Sequence, residues 1–420
     1  MKSLVLITSH YPYGTGESFI EAELPWLLQD FNKIMIISQD ISGRITRDIP
    51  GNVVLRRYDP STSISGFFSL PVLFVNNFRI IIKLYRSERT FRKDIRHFLS
   101  FRQIGHLFKK IIKALQLRDF IRLFLAKESI KGTIVFYSYW LNTGAHAISL
   151  LNHKDSIKIS RAHGSDLYEE KTKLRFLPLL SFSARALDAV FFISEHGRNY
   201  FLEKTGIRDS KLILSRLGTN KPSCGEIVMS EKSDRFTIIS CSNLVRLKRI
   251  DLLINSLSLL QTDKKILWMH FGDGMLKEEL EDLAKNRLGP IGGIEYRFMG
   301  QYPNSQLLSF YQTNRIDLFV NTSVTEGIPV SIMEAQSFGI PVIATNTGGM
   351  NEIVTEGTGT MLPVDFKPID LAQIIQYYIE LPEQEMNKRR ENAYKNWQLN
   401  FNATANYEDF FKKVNSILAL

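Results

Sequence analysis

Short β-rich runs alternate with amphipathic segments along this chain, and the alternation occurs twice. That order leaves few folds open, because strand and helix periods in strict alternation build parallel sheets from βαβ units. The pattern predicts a first set of strands over residues 4–9, 33–38, 53–58, 134–139, 157–162 and 189–194, with a further one at 212–217. A second set is predicted over 236–241, 265–271, 294–299, 318–321 and 341–345. Between the sets, residues 219–235 are rich in Asn, Pro, Gly, Ser and charge without sustained periodicity, as expected of a linker. The domains expected are therefore 1–218 and 236–400, with a helical segment 401–420 that packs back on the first domain. A length of 420 residues suits two such domains, each able to bury its own core. No sequence repeat relates the halves. Two doubly wound domains facing each other would set the C-terminal ends of their strands, where such sheets bind ligands, across a cleft.

The formal net charge of +10 is unevenly placed. Between Arg79 and Lys131, fifteen Lys or Arg stand against four acids, so the rest of the chain is close to neutral. Inside this block, which forms the core of a helical insertion at about 64–131, apolar residues recur at helical spacing: Phe78, Ile82, Tyr85; Phe91, Ile95, Phe98; Leu107, Ile111, Leu115. This is the pattern of helices with one apolar and one basic face. An anionic membrane surface is the partner expected for 79–131, ahead of nucleic acid, with a solvated helical face as the plain alternative. The uncharged stretch 60–78 carries Gly66, Pro71, Asn76 and Asn77, which a lipid-facing spanning helix rarely tolerates, so no transmembrane segment is predicted. The first apolar run is too short for a signal peptide. Cys224 and Cys241 are too few for a disulfide framework and fit a reducing compartment.

The densest chemical signal runs from Ser323 to Ala335, directly after a predicted strand. A helix starting near Ile328 turns its positive N-terminus and free backbone amides toward the strand ends, a ready site for a diphosphate. Pro329 removes one amide but is tolerated in a first turn. Glu326 precedes this helix and Glu334 lies two turns inside it, so both can border one ligand from different ends. Taken alone, the two are equally well an acidic cap and a solvated helix residue.

The order Glu-Gly-x-Pro-x-Ser-x-x-Glu-Ala, followed by Gly339-Ile340-Pro341-Val342-Ile343-Ala344-Thr345 and by Gly348-Gly349, resembles the donor signature of retaining glycosyltransferase family four, whose members adopt the two-domain GT-B fold. The resemblance implies that Glu334 binds the ribose hydroxyls of a nucleotide sugar and Glu326 the donor sugar, with Gly327, Ile328 and Pro329 beside the phosphates. Met299, ending the strand predicted at 294–299, is assigned with them to the donor. The run from Ser242 to Leu253 is similar to the family's Gly-Arg-Leu-x-x-x-Lys-Gly. Lys248 matches, Asn243 stands in place of the Arg and Arg249 in place of the Gly. A departing diphosphate needs cationic stabilisation, which Lys248 with Arg249 or Arg246 supplies.

In the first half, Arg161-Ala162-His163-Gly164-Ser165-Asp166-Leu167-Tyr168 places a His at the end of a strand. A lone His is commonly structural, but this one matches a family position that contacts the donor sugar. With Tyr137-Ser138-Tyr139-Trp140 the motif resembles a subgroup acting in bacterial surface polysaccharide assembly, and Asp166 is then on the acceptor side. The loop Tyr11–Glu21 carries Gly14 and Gly16, which let the backbone approach a ligand, and is similar to the family's acceptor loop. It lacks the third Gly of a dinucleotide fingerprint.

No Asp-x-Asp, His-Glu-x-x-His, Cys-x-x-Cys or Gly-x-Ser-x-Gly occurs, which disfavours metal-dependent GT-A transfer, zinc hydrolysis and elbow-serine hydrolysis. The expectation is a retaining, metal-independent glycosyltransferase with His163, Glu326 and Lys248 as catalytic residues. It would use a UDP- or GDP-sugar, a lipid-linked saccharide acceptor and no cofactor, on the inner face of the cell membrane. The rival readings are a GT-B nucleotide-sugar epimerase and a non-catalytic basic adaptor on the same fold.

Overall fold

The computed structural model describes the chain apart from residues 1, 15, 16, 18, 41, 42, 60–69, 95–98, 129, 131, 208, 209, 222–233 and 420, and the side chains of 70, 93 and 94. The fold is α/β and consists of two units, Met1–Arg216 with Tyr407–Leu420, and Leu217–Asn406.

The first unit holds seven strands among the described residues: β1 (Lys2–Thr8), β2 (Lys33–Ser38), β3 (Val53–Arg57), β4 (Thr133–Ser138), β5 (Ser156–Ala162), β6 (Ala189–Phe192) and β7 (Leu212–Leu214). They are parallel in the order β3-β2-β1-β4-β5-β6-β7. β1 and β4 are almost continuously apolar and buried, as strands covered on both faces must be. Chain order reverses between these two, and the crevice outside their C-terminal ends is where such a sheet takes ligands. Helix α1 (Phe19–Asp30) follows β1. Its fully buried Glu23 accepts from Arg161 of β5 and from the Tyr137 hydroxyl, while the Arg161 guanidinium lies 4.5 Å from the Phe410 ring centroid.

The basic insertion is a pair of helices, α2 (Leu70–Asp94) and α3 (Phe101–Lys127), the second opened by a reciprocal Ser100–Gln103 cap. The face of α2 turned inward is Leu73, Asn77, Ile81, Leu84, Glu88 and Arg92, against Leu107, Ile111, Leu115, Phe176 and Leu179. The inward register is thus one residue away from the Phe78, Ile82, Tyr85 stripe expected from sequence, and Phe78 faces out. The reason is polar: Asn77 is held by Arg118 at 2.9 Å, and Arg92 is buried between Glu88 at 2.8 Å and Glu169 at 2.7 Å. Arg92 belongs to the interior rather than to the basic surface. Ile95 and Phe98 lie outside the described residues.

Helices α4 (Thr143–Ser149), α5 (Leu180–Ala186) and α6 (Glu195–Thr205) complete the unit together with the end of the last helix, α13 (Ala403–Leu418), which seats Phe410 against Tyr137 and Phe191.

The second unit is a six-stranded parallel sheet of β8 (Arg235–Cys241), β9 (Lys265–Phe271), β10 (Ile294–Phe298), β11 (Leu318–Asn321), β12 (Val342–Thr345) and β13 (Gly359–Leu362), ordered β10-β9-β8-β11-β12-β13. Here the reversal falls between β8 and β11. Strand β13 is an addition to the expected set; its four residues begin at a glycine and offer no β-branched run. Helices α7 (Ile250–Leu257), α8 (Lys277–Leu288), α9 (Asn304–Thr313), α10 (Val330–Ser337), α11 (Pro368–Glu380) and α12 (Glu383–Asn400) flank it. The buried Arg390 anchors α12 through Asp317 and the Ile316 carbonyl. Of the linker expected at 219–235, residues 222–233 lie outside the described residues.

Candidate active site

In the second unit the motif residues collect at the reversal of strand order. The segment after β8 makes a tight turn, Arg246–Lys248, and passes through Arg249 in the left-handed region, φ 50° and ψ 45°, before α7 begins. A left-handed residue is the ordinary place for glycine, so Arg249 carries that backbone cost. Its guanidinium then ties loops together. Nε donates to the Thr322 carbonyl at 2.7 Å, Nη1 donates to that of Val364, and the group lies over the Phe366 ring. Arg249 is expected beside the diphosphate; its Nε and Nη1 lie on main-chain carbonyls, Arg246 is exposed in the same turn, and Asn243 is exposed just ahead of it. Lys248 points at the other loop, where its Nζ pairs with Glu326 Oε1.

The loop after β11 is held from several sides. Val324 N–H donates to the Leu247 carbonyl at 2.9 Å, Thr322 Oγ1 to that of Lys248 at 2.7 Å, and Gly349 N–H to that of Gly327 at 3.0 Å. Gly348 has φ +59°, and a Cβ there would stand 2.1 Å from the Glu326 carbonyl oxygen, so only glycine fits beneath this loop. Helix α10 starts at Val330, two residues later than expected, with no side chain capping it; Ile328 and Pro329 are buried just before it. Glu334 is buried on α10 and accepts from Asn304 Nδ2 at 2.6 Å. Burial pushes its carboxyl up to about 7, against the Asn304 hydrogen bond. Cys241, at the end of β8, has its thiol raised by burial first, with Glu334 adding to the rise and Lys248 opposing it. Met299 lies at the end of β10, two strands from the reversal, with its N–H on the His270 carbonyl.

Sequence reasoning missed three supports here. His270 is buried with its ring between Ser240 Oγ and the Ser242 carbonyl, and burial drives its pKa down to about 4. Gly272, at φ +136°, has the Ser242 carbonyl 1.9 Å from where its Cβ would be. Asn304 orients Glu334. The Gly272-Asp273-Gly274 run after a strand was the available signal for the second; nothing in the sequence marks the other two.

In the first unit the loops after β1, β4 and β5 form one cluster. Glu17, buried and at φ 59°, accepts from the N–H groups of Ser9 at 3.0 Å, His10 at 2.6 Å and Tyr11, and from the Trp140 indole. Sequence reasoning passed over it, although it stands inside the glycine-bearing loop. Phe19 stacks on Tyr139 and His163, and Trp140 lies 4.4 Å from His163 between ring centroids. His163 Nε2 donates to the Tyr139 carbonyl at 3.1 Å, which fixes the tautomer because a carbonyl only accepts. Burial drives the ring to about 3, so it is a neutral imidazole. Asp166 is turned inward: Oδ1 accepts from His163 N–H and Oδ2 from Leu141 N–H, each at 2.6 Å, and burial raises it to about 7. It clamps the loops that carry His163 and Trp140. Gly14 has φ +62° and is held by Arg44 and Arg47; Gly16 lies outside the described residues. Among the described residues no group of three or more His, Cys, Asp or Glu is arranged to hold a metal, and no helix is long and apolar enough to cross a membrane.

Two parallel sheets, each with its motif loops at the reversal of strand order, are the GT-B architecture, the fold of a large class of glycosyltransferases. Residues 228–396, most of the second unit, match the family described as Glycosyl transferases group 1. The chain is 28% identical over 251 residues to the O-antigen biosynthesis glycosyltransferase WbnH of Escherichia coli, covering 58% of this chain and 68% of that one. It is 25% identical over 228 residues to a subunit of the phosphatidylinositol N-acetylglucosaminyltransferase of Arabidopsis thaliana, covering 52% of this chain and 48% of that one. The match thus spans about half the length of the plant protein. Among solved structures, Anabaena Alr3699/HepE in complex with UDP and glucose aligns over 99% of this chain and 100% of its own, with a TM-score of 0.64 at 18% identity, a likeness of fold.

Proposed function

We propose that this chain is a retaining glycosyltransferase that moves a sugar from a nucleotide diphosphate sugar to a saccharide acceptor carried on a lipid, in the assembly of a bacterial surface polysaccharide. The observation that carries the reading is the Lys248–Glu326 ion pair at the strand reversal of the second sheet, with Glu334 buried on the helix that follows the same loop. Glu334 accepts the ribose hydroxyls. Lys248 and the uncapped amides of α10 take the charge of the diphosphate, which grows as the bond from the anomeric carbon to the phosphate oxygen breaks. Glu326 turns from Lys248 to the hydroxyls of the donor sugar. The incoming hydroxyl attacks on the face the phosphate leaves, and its proton passes to the departing phosphate oxygen, so configuration is kept without a metal. His163, neutral and held by Tyr139, offers a hydrogen-bond group to the sugar.

The O-antigen relative supports the acceptor class, and the UDP and glucose in the Anabaena structure support a UDP-sugar, with a GDP-sugar as the other candidate. A lipid-borne acceptor calls for peripheral attachment to the inner face of the membrane, for which the basic insertion is suited. Incubation with a panel of nucleotide sugars and membrane extract tests the reading. Transfer to a lipid-linked product with the anomeric configuration retained supports it; isomerised free donor, or no turnover at all, overturns it.

A further inference from the structure

The outward face of α2 changes character along its length. Its first half exposes Val72 at 57%, Phe74 at 41%, Val75 at 75% and Phe78 at 52%. Its second half exposes Arg79, Lys83, Arg86 and Arg89, and Glu88 among them is buried and paired with Arg92. A shallow depression of ≈ 370 Å³ joins the two halves, lined by Phe78, Arg79, Ile82, Lys83 and Arg86. On α3, Lys109, Lys110 and Lys113 sit close enough that Lys109 and Lys113 help burial to lower the pKa of Lys110, and all three lower that of His106. Val72, Val75 and Phe78 on one exposed helix face within two turns, with Phe74 beside them, are more than scattered surface residues, and bases at their flank select what covers them.

We propose that α2 lies along an anionic lipid bilayer, its Val72–Phe78 end inserted among the acyl chains and its Arg79–Arg89 end at the level of the lipid phosphates. This deepens the membrane attachment given above and rests on it. The spacing fits such a pose, since the apolar residues at 72, 75 and 78 and the bases at 79, 83 and 86 follow the helical repeat and one face serves both ends. Bases alone would give a contact that salt dissolves, each contributing about a five-fold change in partitioning. The apolar end adds a contribution that salt does not screen. An anionic bilayer is the occupant that matches both halves, because a protein partner for the apolar end leaves the row of exposed bases without counter-charge.

Flotation of the full chain with vesicles of phosphatidylcholine alone, or of phosphatidylcholine with phosphatidylglycerol, at low and high salt, is the test. Native protein is expected to float with the anionic vesicles and to keep a fraction bound at high salt. Val75→Ser with Phe78→Ser should bind at low salt and be released completely at high salt. Lys83→Gln, Arg86→Gln and Arg89→Gln together should lose most low-salt binding, on the order of a hundred-fold, and keep the salt-resistant remainder. All five side chains are exposed, so thermal unfolding should match the native chain and exclude misfolding as the cause. If the native chain does not float, membrane attachment itself falls. If it floats but the serine variant resists salt equally well, attachment stands and insertion of α2 is overturned. Self-association in light scattering that the serine variant abolishes also overturns it, since a second copy would then cover this face.

Discussion

Lys248 and Glu326 are ion-paired across the two loops that leave β8 and β11. Under the proposed function, the cation for the donor phosphates and the acid for the donor sugar hold each other until a donor separates them. Lys248→Ala should weaken UDP binding by about 1.5–3 kcal/mol, roughly ten- to hundred-fold in Kd. Glu326→Gln should leave UDP binding as tight or tighter, because the competitor for Lys248 has lost its charge, while transfer of the sugar falls. Calorimetric titration of UDP into both variants distinguishes these; equal weakening by the two would show that the pair acts only as a structural tie.

Glu334 carries a pH dependence of its own. With its carboxyl at about 7, it gains its charge only as pH rises through neutrality, and under the proposed function that charge binds the ribose hydroxyls. Donor affinity of the native chain should therefore increase between pH 6 and pH 8. Glu334→Gln, which does not titrate, should bind more weakly and lose this part of the rise. Because the phosphates of UDP titrate nearby, the quantity to read is the difference between the two chains at each pH.

The buried Arg161–Glu23 pair bears on stability independently of catalysis. Both side chains are fully buried, and Tyr137 and the Ser215 carbonyl complete the network. Arg161→Met leaves Glu23 charged without its partner and should cost about 3–5 kcal/mol, whereas adding Glu23→Leu should recover much of it. Urea unfolding of the single and double variants measures both.

Asp166 links stability to pH. Its native pKa of about 7 lies above the ordinary carboxyl value of 3.8, so between these limits the native chain holds a proton the unfolded chain has released. Its contribution is fully present below about pH 4 and is lost as pH rises through 7. Asp166→Asn removes that titration and leaves one of two backbone N–H donors facing an amide NH2, at a cost of about 1–3 kcal/mol. The gap in Tm between native and variant should therefore be wide at pH 5 and narrower at pH 8. A gap that widens with pH would show that the two backbone hydrogen bonds outweigh burial.

Much of the fold was legible because the interior strands are covered on both faces: 33–38, 265–271 and 318–321 are read to the residue from apolar runs alone. The misses are places where packing overrules pattern. Nothing in the periodicity of α2 says that Asn77, Glu88 and Arg92 face inward, since that depends on Arg118 and Glu169 from distant segments. The motif loops were visible as residue types, but their roles at close range were not. The left-handed backbone of Arg249 with its carbonyl partners, and the two main-chain hydrogen bonds of Asp166, depend on segments brought together by folding and leave no mark in the motif.

The first unit is not a continuous piece of polypeptide, since its layer around Arg161 includes Phe410, on a helix synthesised after the whole second unit. On the ribosome, residues 217–406 can reach their final contacts while the earlier-made unit still shows an unfilled apolar seat for Phe410, Phe411 and Val414. That makes the tail a late quality step: a chain interrupted before Tyr407 would keep its second unit yet display sticky surface on the first, where chaperones and proteases look for it.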